Sequence, residues 1–113
     1  MAKITTHVLD TARGRPAAGV AVTLERRLPT LLYVSVHSGV TNDDGRLATL
    51  TDPTGVPAGT YRLTFDVAGY FERAGQETFY PEAAITFTVA DAAQHFHVPL
   101  LLAPYGYSTY RDS

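Results

Sequence analysis

The segment GTYRLTFDVA, residues 59–68, alternates large apolar side chains with smaller or polar ones. Its apolar members are Tyr61, Leu63, Phe65 and Val67. Successive side chains of a β-strand point to opposite faces of the sheet, so these residues share one face. The segment therefore predicts a strand with one face in an apolar core and the other toward solvent.

Seven further segments have the same short, strand-like character, and turns rich in Gly, Pro, Asn and Asp separate most of them. They are ITTHVLD (4–10), VAVTLER (20–26), LLYVSVHSGV (31–40), RLATLT (46–51), AITFTVA (84–90), HFHVPLLLAP (95–104) and YGYSTYR (105–111). In the turn TNDDGR, residues 41–46, we expect Gly45 to adopt the positive φ that other residues resist. The pattern predicts an all-β fold, an antiparallel β-sandwich of eight strands.

Two places depart from the strand pattern. GYFERAGQETF, residues 69–79, lacks alternation and predicts about two turns of helix between strands. Pro99 interrupts HFHVPLLLAP, and a proline inside a strand is typical of a sheet edge or a bulge because it cannot donate to the ladder.

Size and composition limit the possible classes of protein. With 113 residues, the chain predicts one domain spanning residues 1–113. The absence of cysteine excludes disulfides, thiolate metal sites and thiol nucleophiles. The formal net charge is −2 and both signs are scattered, so no basic block could follow a nucleic-acid backbone. We expect no nucleic-acid partner.

The sequence also predicts no membrane association. The longest apolar stretch, VPLLLAP, is far shorter than the about 20 residues that a membrane span needs. The segment MAKITTHVLD has no apolar region of the kind found in signal peptides. We therefore expect a cytoplasmic protein.

Histidines supply the first candidate site. On a strand, His95 and His97 would project from the same face, either as two surface side chains or as a metal or acid–base site. Zinc would need a third ligand, for which His7 is the candidate. His7 shares a strand face with Thr5, and such a single histidine is more often structural than catalytic. We expect His37 to be exposed and without a role.

Arg46 and the segment YRDS complete the set of candidates. Arg46 follows the turn glycine and is either solvated or placed to hold a planar imide, carboxylate or urea-like group with two parallel hydrogen bonds. The residues Tyr110 to Ser113 form either the charged end of an edge strand or one wall of a site.

Taken together, several segments resemble one family, the transthyretin-related 5-hydroxyisourate hydrolases. The segments are ITTHVLDTARGRPAAGVAVTLER, TNDDGR, GTYRLTFDVAGYF, FYPEAAITFTV and HFHVPLLLAPYGYSTYRDS, which together run from about Ile4 to Ser113. The pattern of the first three is shared with other transthyretin-like sandwich domains, many of them binding or spacer modules. The last segment is specific to the hydrolases, because the thyroid-hormone carriers of this fold lack these histidines and the terminal Tyr-Arg-Gly-Ser of the hydrolases, which reads Tyr-Arg-Asp-Ser in this chain.

The resemblance implies a transthyretin-like sandwich with one short helix, assembled as a homotetramer (a dimer of dimers) with sites in the channel between the dimers. It implies hydrolysis of 5-hydroxyisourate to 2-oxo-4-hydroxy-4-carboxy-5-ureidoimidazoline, a step of urate breakdown, without metal or cofactor. The competing hypothesis is a non-enzymatic module that binds a small planar ligand in that channel.

Residue by residue, the resemblance assigns catalytic roles to His7, Arg46, His97 and Ser113, and substrate binding to Tyr110 and Arg111. His7 and His97 would activate water and shuttle protons, with the base left undecided between them. Arg46 would bind the polar edge of the substrate and stabilise negative charge, and Ser113 would hold water or substrate. Asp112 stands where the family pattern has glycine, and its effect is an open question.

Overall fold

A computed structural model of the chain describes residues 1–112. Nine strands and one helix follow in the order β1 (Ile4–Asp10), β2 (Arg15–Pro16), β3 (Ala21–Arg27), β4 (Tyr33–Val40), β5 (Arg46–Leu47), β6 (Gly59–Asp66), α1 (Val67–Arg73), β7 (Glu82–Val89), β8 (Phe96–Ala103) and β9 (Gly106–Thr109) within that range. The predicted all-β fold with one short helix is confirmed.

Two sheets pack face to face. In one, the strand order is β2-β1-β8-β9, with β5 also paired to β1, and in the other it is β4-β3-β6-β7. The predicted antiparallel sandwich is confirmed with one refinement, because β1 and β8 run parallel. This parallel pair places residues from opposite ends of the sequence side by side, and it positions the site described below.

The core lies between the sheets, where the alternation of the sequence places it. Tyr61, Leu63 and Phe65 of β6 are fully buried. Val22 and Leu24 of β3 are also buried, with at most 1% of each residue exposed to solvent. Each such side chain stabilises the fold by about 1.5–3 kcal/mol relative to exposure. The predicted buried faces are thus confirmed. Gly45 has φ +74°, also as predicted, and a Cβ there would lie 2.3 Å from the carbonyl oxygen of Val8.

The helix begins two residues earlier than the sequence suggested. Asp66 caps it, since its Oδ1 accepts a hydrogen bond of 3.0 Å from the backbone nitrogen of Gly69. The apolar alternation of β6 continues through Val67, but that residue is already the first of the helix. Tyr70 and Phe71 are buried and hold α1 against the sandwich.

Pro99 does not mark an edge strand, and that prediction was wrong. β8 lies inside its sheet, between β1 and β9, and Pro99 is buried. The pairing of β8 with β9 stops at Leu100 and Thr109 and resumes in the same register between His97 and Asp112. The proline therefore lies in a gap of the ladder, because its nitrogen has no hydrogen to donate. The Thr109 hydroxyl donates to the Pro99 carbonyl oxygen at 2.6 Å and bridges the gap.

Within residues 1–112, the structure contains no helix long and apolar enough to cross a membrane.

Candidate active site

The candidate site lies on the face of the five-stranded sheet that points away from the core, which we call the outer face. Along β1, Ile4, Thr6 and Val8 are buried, so Thr5 and His7 point to the outer face. In the register of the sheet, Thr5 lies beside His97 of β8 and His7 beside Arg46 of β5. The structure thus brings together His7, Arg46 and His97, which the sequence analysis selected.

His97 is held by a neighbour on the adjacent strand. Its Nδ1 lies 2.8 Å from Oγ1 of Thr5, at hydrogen-bond distance, and both side chains are half-buried. A depression of about 200 Å³ opens beside this pair. Its lining consists of Thr5, Thr6, Arg46, Leu47, Ala48 and His97. A small ligand in the depression would therefore lie between the imidazole and the arginine.

The surroundings of His97 favour its neutral form. Burial lowers the pKa of His97 below its usual value, and the positive charge of Arg46 and the proximity of His7 act in the same direction. The carboxylate of Asp112 opposes them and raises this pKa. The net result is a histidine with a lowered pKa, which is neutral at physiological pH and able to accept a proton.

The segment after β9, residues 110–112, runs back along β8. The backbone nitrogen of Asp112 donates to the carbonyl oxygen of His97 at 3.0 Å, which holds the segment beside the site. Arg111 points to the other side of the sheet, where its guanidinium lies 4.4 Å from the centre of the Phe96 ring and Nη2 donates to Gln94 Oε1 at 2.7 Å. Asp112 therefore lies near His97, whereas the side chain of Arg111 does not.

The remaining predicted residues are placed as follows. Tyr110 is 53% exposed, between Thr109 and Arg111. Ser113 lies outside the described residues. His37 is exposed on β4, as predicted.

His95 is exposed and precedes β8, which begins at Phe96. The strand alternation that would pair His95 with His97 does not extend to it. Among residues 1–112, no group of three or more His, Asp or Glu side chains is arranged to hold a metal ion. The zinc hypothesis at His95, His97 and His7 thus gains no support from the geometry.

Sequence reasoning missed the contact between Thr5 and His97. Alternation does place Thr5 on the same face as His7. The contact also requires β1 to pair with β8 in parallel, across 92 positions of sequence. Nothing in the local pattern of either strand specifies that partner or that direction.

The fold and this cluster define a transthyretin-like sandwich that carries histidine and arginine side chains on a sheet face. The model of the HIUase/Transthyretin family matches residues 4–112. The chain belongs to the HIUase/Transthyretin family.

Similar proteins include hydrolases from distant organisms. The chain is 46% identical to a 5-hydroxyisourate hydrolase of Mus musculus over 97% of this chain and 94% of the relative. It is 48% identical to a 5-hydroxyisourate hydrolase of Deinococcus radiodurans, over 97% of this chain and 95% of the relative.

Solved structures extend the comparison to a transthyretin. The Klebsiella pneumoniae 5-hydroxyisourate hydrolase superposes with a TM-score of 0.87 at 42% identity, covering 100% of this chain and 94% of that one. Sea bream transthyretin in complex with thyroxine has a TM-score of 0.92 at 28% identity, covering 97% and 94%. The backbone is thus common to both, whereas the sequence is closer to the hydrolase.

Proposed function

We propose that this chain hydrolyses 5-hydroxyisourate to 2-oxo-4-hydroxy-4-carboxy-5-ureidoimidazoline at the outer-face cluster of His7, Arg46 and His97. The activity is that of the relatives, which match nearly the whole chain at 46–48% identity. The observation that carries the assignment is the convergence of these three side chains, from three different strands, on one face of the sheet.

The reaction needs a base, a charge stabiliser and an acid. The water oxygen bonds to a ring carbonyl carbon while a histidine takes the water's proton. Negative charge then develops on the carbonyl oxygen, and the Arg46 guanidinium stabilises it. The ring C–N bond breaks, and the departing nitrogen receives a proton. His7 and His97 together supply these proton transfers, and the lowered pKa of His97 suits it to accept one at neutral pH.

The segment after β9 contributes a wall of the site in this proposal. Arg111 anchors the segment through Phe96 and Gln94, and Tyr110 borders the substrate. Ser113 would hold water or substrate there. The role of Arg111 in this proposal is to order the segment, because its guanidinium lies on the side of the sheet away from His97.

We also propose that the chain forms a homotetramer, a dimer of dimers, with the outer faces enclosing the sites. The outer face continues from His97 into the half-buried apolar side chains of Leu9, Leu101 and Ala103. Such a face beside a polar cluster is suited to contact with a second copy. Enclosure would exclude bulk water and strengthen the electrostatic action of Arg46.

A non-enzymatic carrier of a planar ligand fits less well. The transthyretin in complex with thyroxine has 28% identity, against 46–48% for the two hydrolases. The outer face of this chain also carries two histidines suited to proton transfer and an arginine suited to charge stabilisation, and the binding of a planar ligand without reaction needs neither function. A cytoplasmic location stays a prediction that cell fractionation would test.

The test of the activity uses freshly prepared 5-hydroxyisourate and follows the loss of its near-ultraviolet absorbance. The wild type should exceed buffer by orders of magnitude, and His97→Ala should lose about 100-fold or more in kcat, because acid–base groups contribute 10²–10⁴-fold. His37→Ala is the matched control, since His37 is exposed on the other sheet. A wild-type rate equal to buffer, or full activity in His97→Ala, would contradict the proposal.

A further inference from the structure

The side chain of Thr5 lies at hydrogen-bond distance from His97. Its hydroxyl lies 2.8 Å from Nδ1 of His97, although the two residues are 92 positions apart. The parallel register places the two residues directly beside each other, so the hydrogen bond joins a side chain of β1 to a side chain of β8. Because both residues belong to regular strands, the backbone holds the two atoms in place.

This contact determines which nitrogen of His97 is available to a ligand. An imidazole has two ring nitrogens, and a neutral ring carries its proton on one of them. With Nδ1 engaged by Thr5, the other nitrogen, Nε2, is left for the depression that both residues line. The hydrogen bond therefore orients the ring as well as restraining it.

The direction of the hydrogen bond follows from the chemistry of a base. If Nδ1–H donates to Thr5 Oγ1, Nε2 carries the lone pair that removes a proton from water. After Nε2 takes that proton, Nδ1 is still a donor and Oγ1 still an acceptor, so neither group has to turn. The opposite direction would leave Nε2 already protonated and would require the hydroxyl to rotate during the reaction.

We propose that Thr5 is a positioning residue, which accepts a hydrogen bond from Nδ1–H of His97 and thereby makes Nε2 of His97 the general base. This inference rests on the proposed hydrolysis and extends it, because it assigns the base to His97 and leaves His7 to protonate the departing nitrogen. Among the described residues, the charged and titratable groups that act on the His97 ring are Asp112, Arg46 and His7.

The kinetic test compares Thr5→Val, which removes the hydroxyl at nearly constant shape, with Thr5→Ser, which keeps it. Thr5→Val should lower kcat by about 10–100-fold with KM nearly unchanged, as for other residues that orient a reacting side chain. Thr5→Ser should retain most of the activity. Thr23→Val is the matched control, because Thr23 is a half-buried strand residue of the other sheet. Thermal unfolding should confirm that all three variants fold.

A second readout does not depend on turnover. The ¹⁵N chemical shifts of the His97 ring report which nitrogen carries the proton. In the wild type above the pKa of His97, the Nδ1–H form should dominate, and Thr5→Val should shift the population toward Nε2–H. His7 in the same samples serves as the internal reference.

The outcomes separate this inference from the proposed function. Wild-type kcat in Thr5→Val, an equal loss in Thr5→Ser, or a dominant Nε2–H form in the wild type would each overturn the role of Thr5. A wild type without hydrolase activity would instead remove the proposed function, while the ring shifts would still test the Thr5 contact.

Discussion

Asp112 brings a carboxylate to the neighbourhood of His97, where the resemblance predicts glycine. Its backbone nitrogen donates to the carbonyl oxygen of His97 at 3.0 Å, which holds Asp112 beside this histidine. The carboxylate raises the pKa of His97 against the stronger lowering by burial. In the proposed mechanism, Asp112 therefore adjusts the proton affinity of His97 in the direction opposite to burial.

The first prediction concerns the acid limb of the pH–rate profile. Activity should fall as the pH drops through the pKa of His97, because the protonated ring accepts no proton. Asp112→Asn removes the charge that raises this pKa, so the acid limb of kcat/KM should move to lower pH. Steady-state rates across pH measure the shift, with Glu72→Gln, an exposed helix position, as control. An unmoved limb would contradict the prediction.

The second prediction concerns Arg46. Arg46→Ala should lower kcat/KM by about 100–1000-fold, because a preorganised donor to the developing oxyanion is worth that much. The kcat/KM of Arg46→Lys should lie between those of Arg46→Ala and the wild type, since lysine keeps the charge but loses the planar pair of donors. Steady-state kinetics measure the difference, and Arg27→Ala, at an exposed position of β3, is the control. Equal rates for Arg46→Ala and wild type would show that charge stabilisation comes from elsewhere.

Among the elements, β1 links the site to the helix. Its outer face carries Thr5 and His7, and its last residue, Asp10, is 1% exposed. The Tyr70 hydroxyl from α1 donates to Asp10 Oδ2 at 2.6 Å, and the backbone nitrogens of Ala12 and Arg13 donate to Oδ1. This buried carboxylate fastens the helix to the strand that supplies the site.

The third prediction tests this attachment. Tyr70→Phe leaves an oxygen of the buried Asp10 without its donor, so the free energy of unfolding should fall by about 1–3 kcal/mol. The activity per folded molecule should be unchanged, because Tyr70 contacts Asp10 at the end of β1 opposite to the Thr5–His97 pair. Urea unfolding measures the first quantity. No loss of stability would mean that water replaces the hydroxyl without cost.

The same pair predicts an alkaline effect. Burial, together with the hydrogen bond to Asp10, raises the pKa of Tyr70 to about 12. The unfolded phenol titrates near its usual value of about 10, so this stabilisation is complete below about pH 10 and is lost as the pH rises toward 12. Tyr70→Phe should lack that part of the alkaline decline. If the free energy of unfolding of the wild type and of Tyr70→Phe fell equally steeply with rising pH in the alkaline range, this prediction would be wrong.

The fourth prediction concerns the segment after β9. Deleting residues 110–113 should lower kcat by about 100-fold or more while the fold persists, because β8 keeps its parallel pairing with β1. Circular dichroism measures whether the fold persists, and steady-state kinetics on the same sample measure kcat. Retained activity would show that the segment is dispensable.

The predictability of these elements differed for physical reasons. Strand β6 could be predicted because Leu63 and Phe65 alternate with polar residues and both face the core. The start of α1 was not, because the apolar pattern runs on into Val67 and only the cap at Asp66 ends the strand. The position of Pro99 in the sheet was predicted wrongly. A proline in a strand indicates that one backbone donor is missing, but it does not indicate whether the strand lies at the edge or inside the sheet. His7, Arg46 and His97 were candidates from their residue types and positions, and the family resemblance supplied their catalytic roles. Their proximity depends on tertiary pairing.

For the whole molecule, the outer face combines a polar cluster with an apolar neighbour. Leu101 lies beside Leu9 in the register of β1 and β8, on the same face as His97. In the proposed tetramer, this apolar part would be covered by a second copy, and the polar part would line the enclosed site. Assembly and catalysis would then depend on the same surface.

The fifth prediction follows from that shared surface. Leu101→Asp should split the tetramer into smaller species and lower kcat, because an opened site admits bulk water. Light scattering after size exclusion measures the mass against the chain mass of 12.2 kDa. Leu31→Asp is the control, since Leu31 is 69% exposed in a loop. A wild-type protein that is active as a monomer would exclude the tetramer from the mechanism.

The parallel pairing of β1 with β8 also has a consequence for the biogenesis of the protein. Thr5 and His97 are separated by 92 positions, so a ribosome must have made nearly the whole described chain before the base meets its partner. Strands so far apart in the sequence pair slowly, because the entropy cost of closing the loop between them comes before any gain from the contact. Under the proposed mechanism, activity therefore requires both that β1 has paired with β8 and that the segment after β9 has been synthesised. A nascent or clipped chain would expose strands without turning over substrate, and the appearance of activity would time the completion of folding.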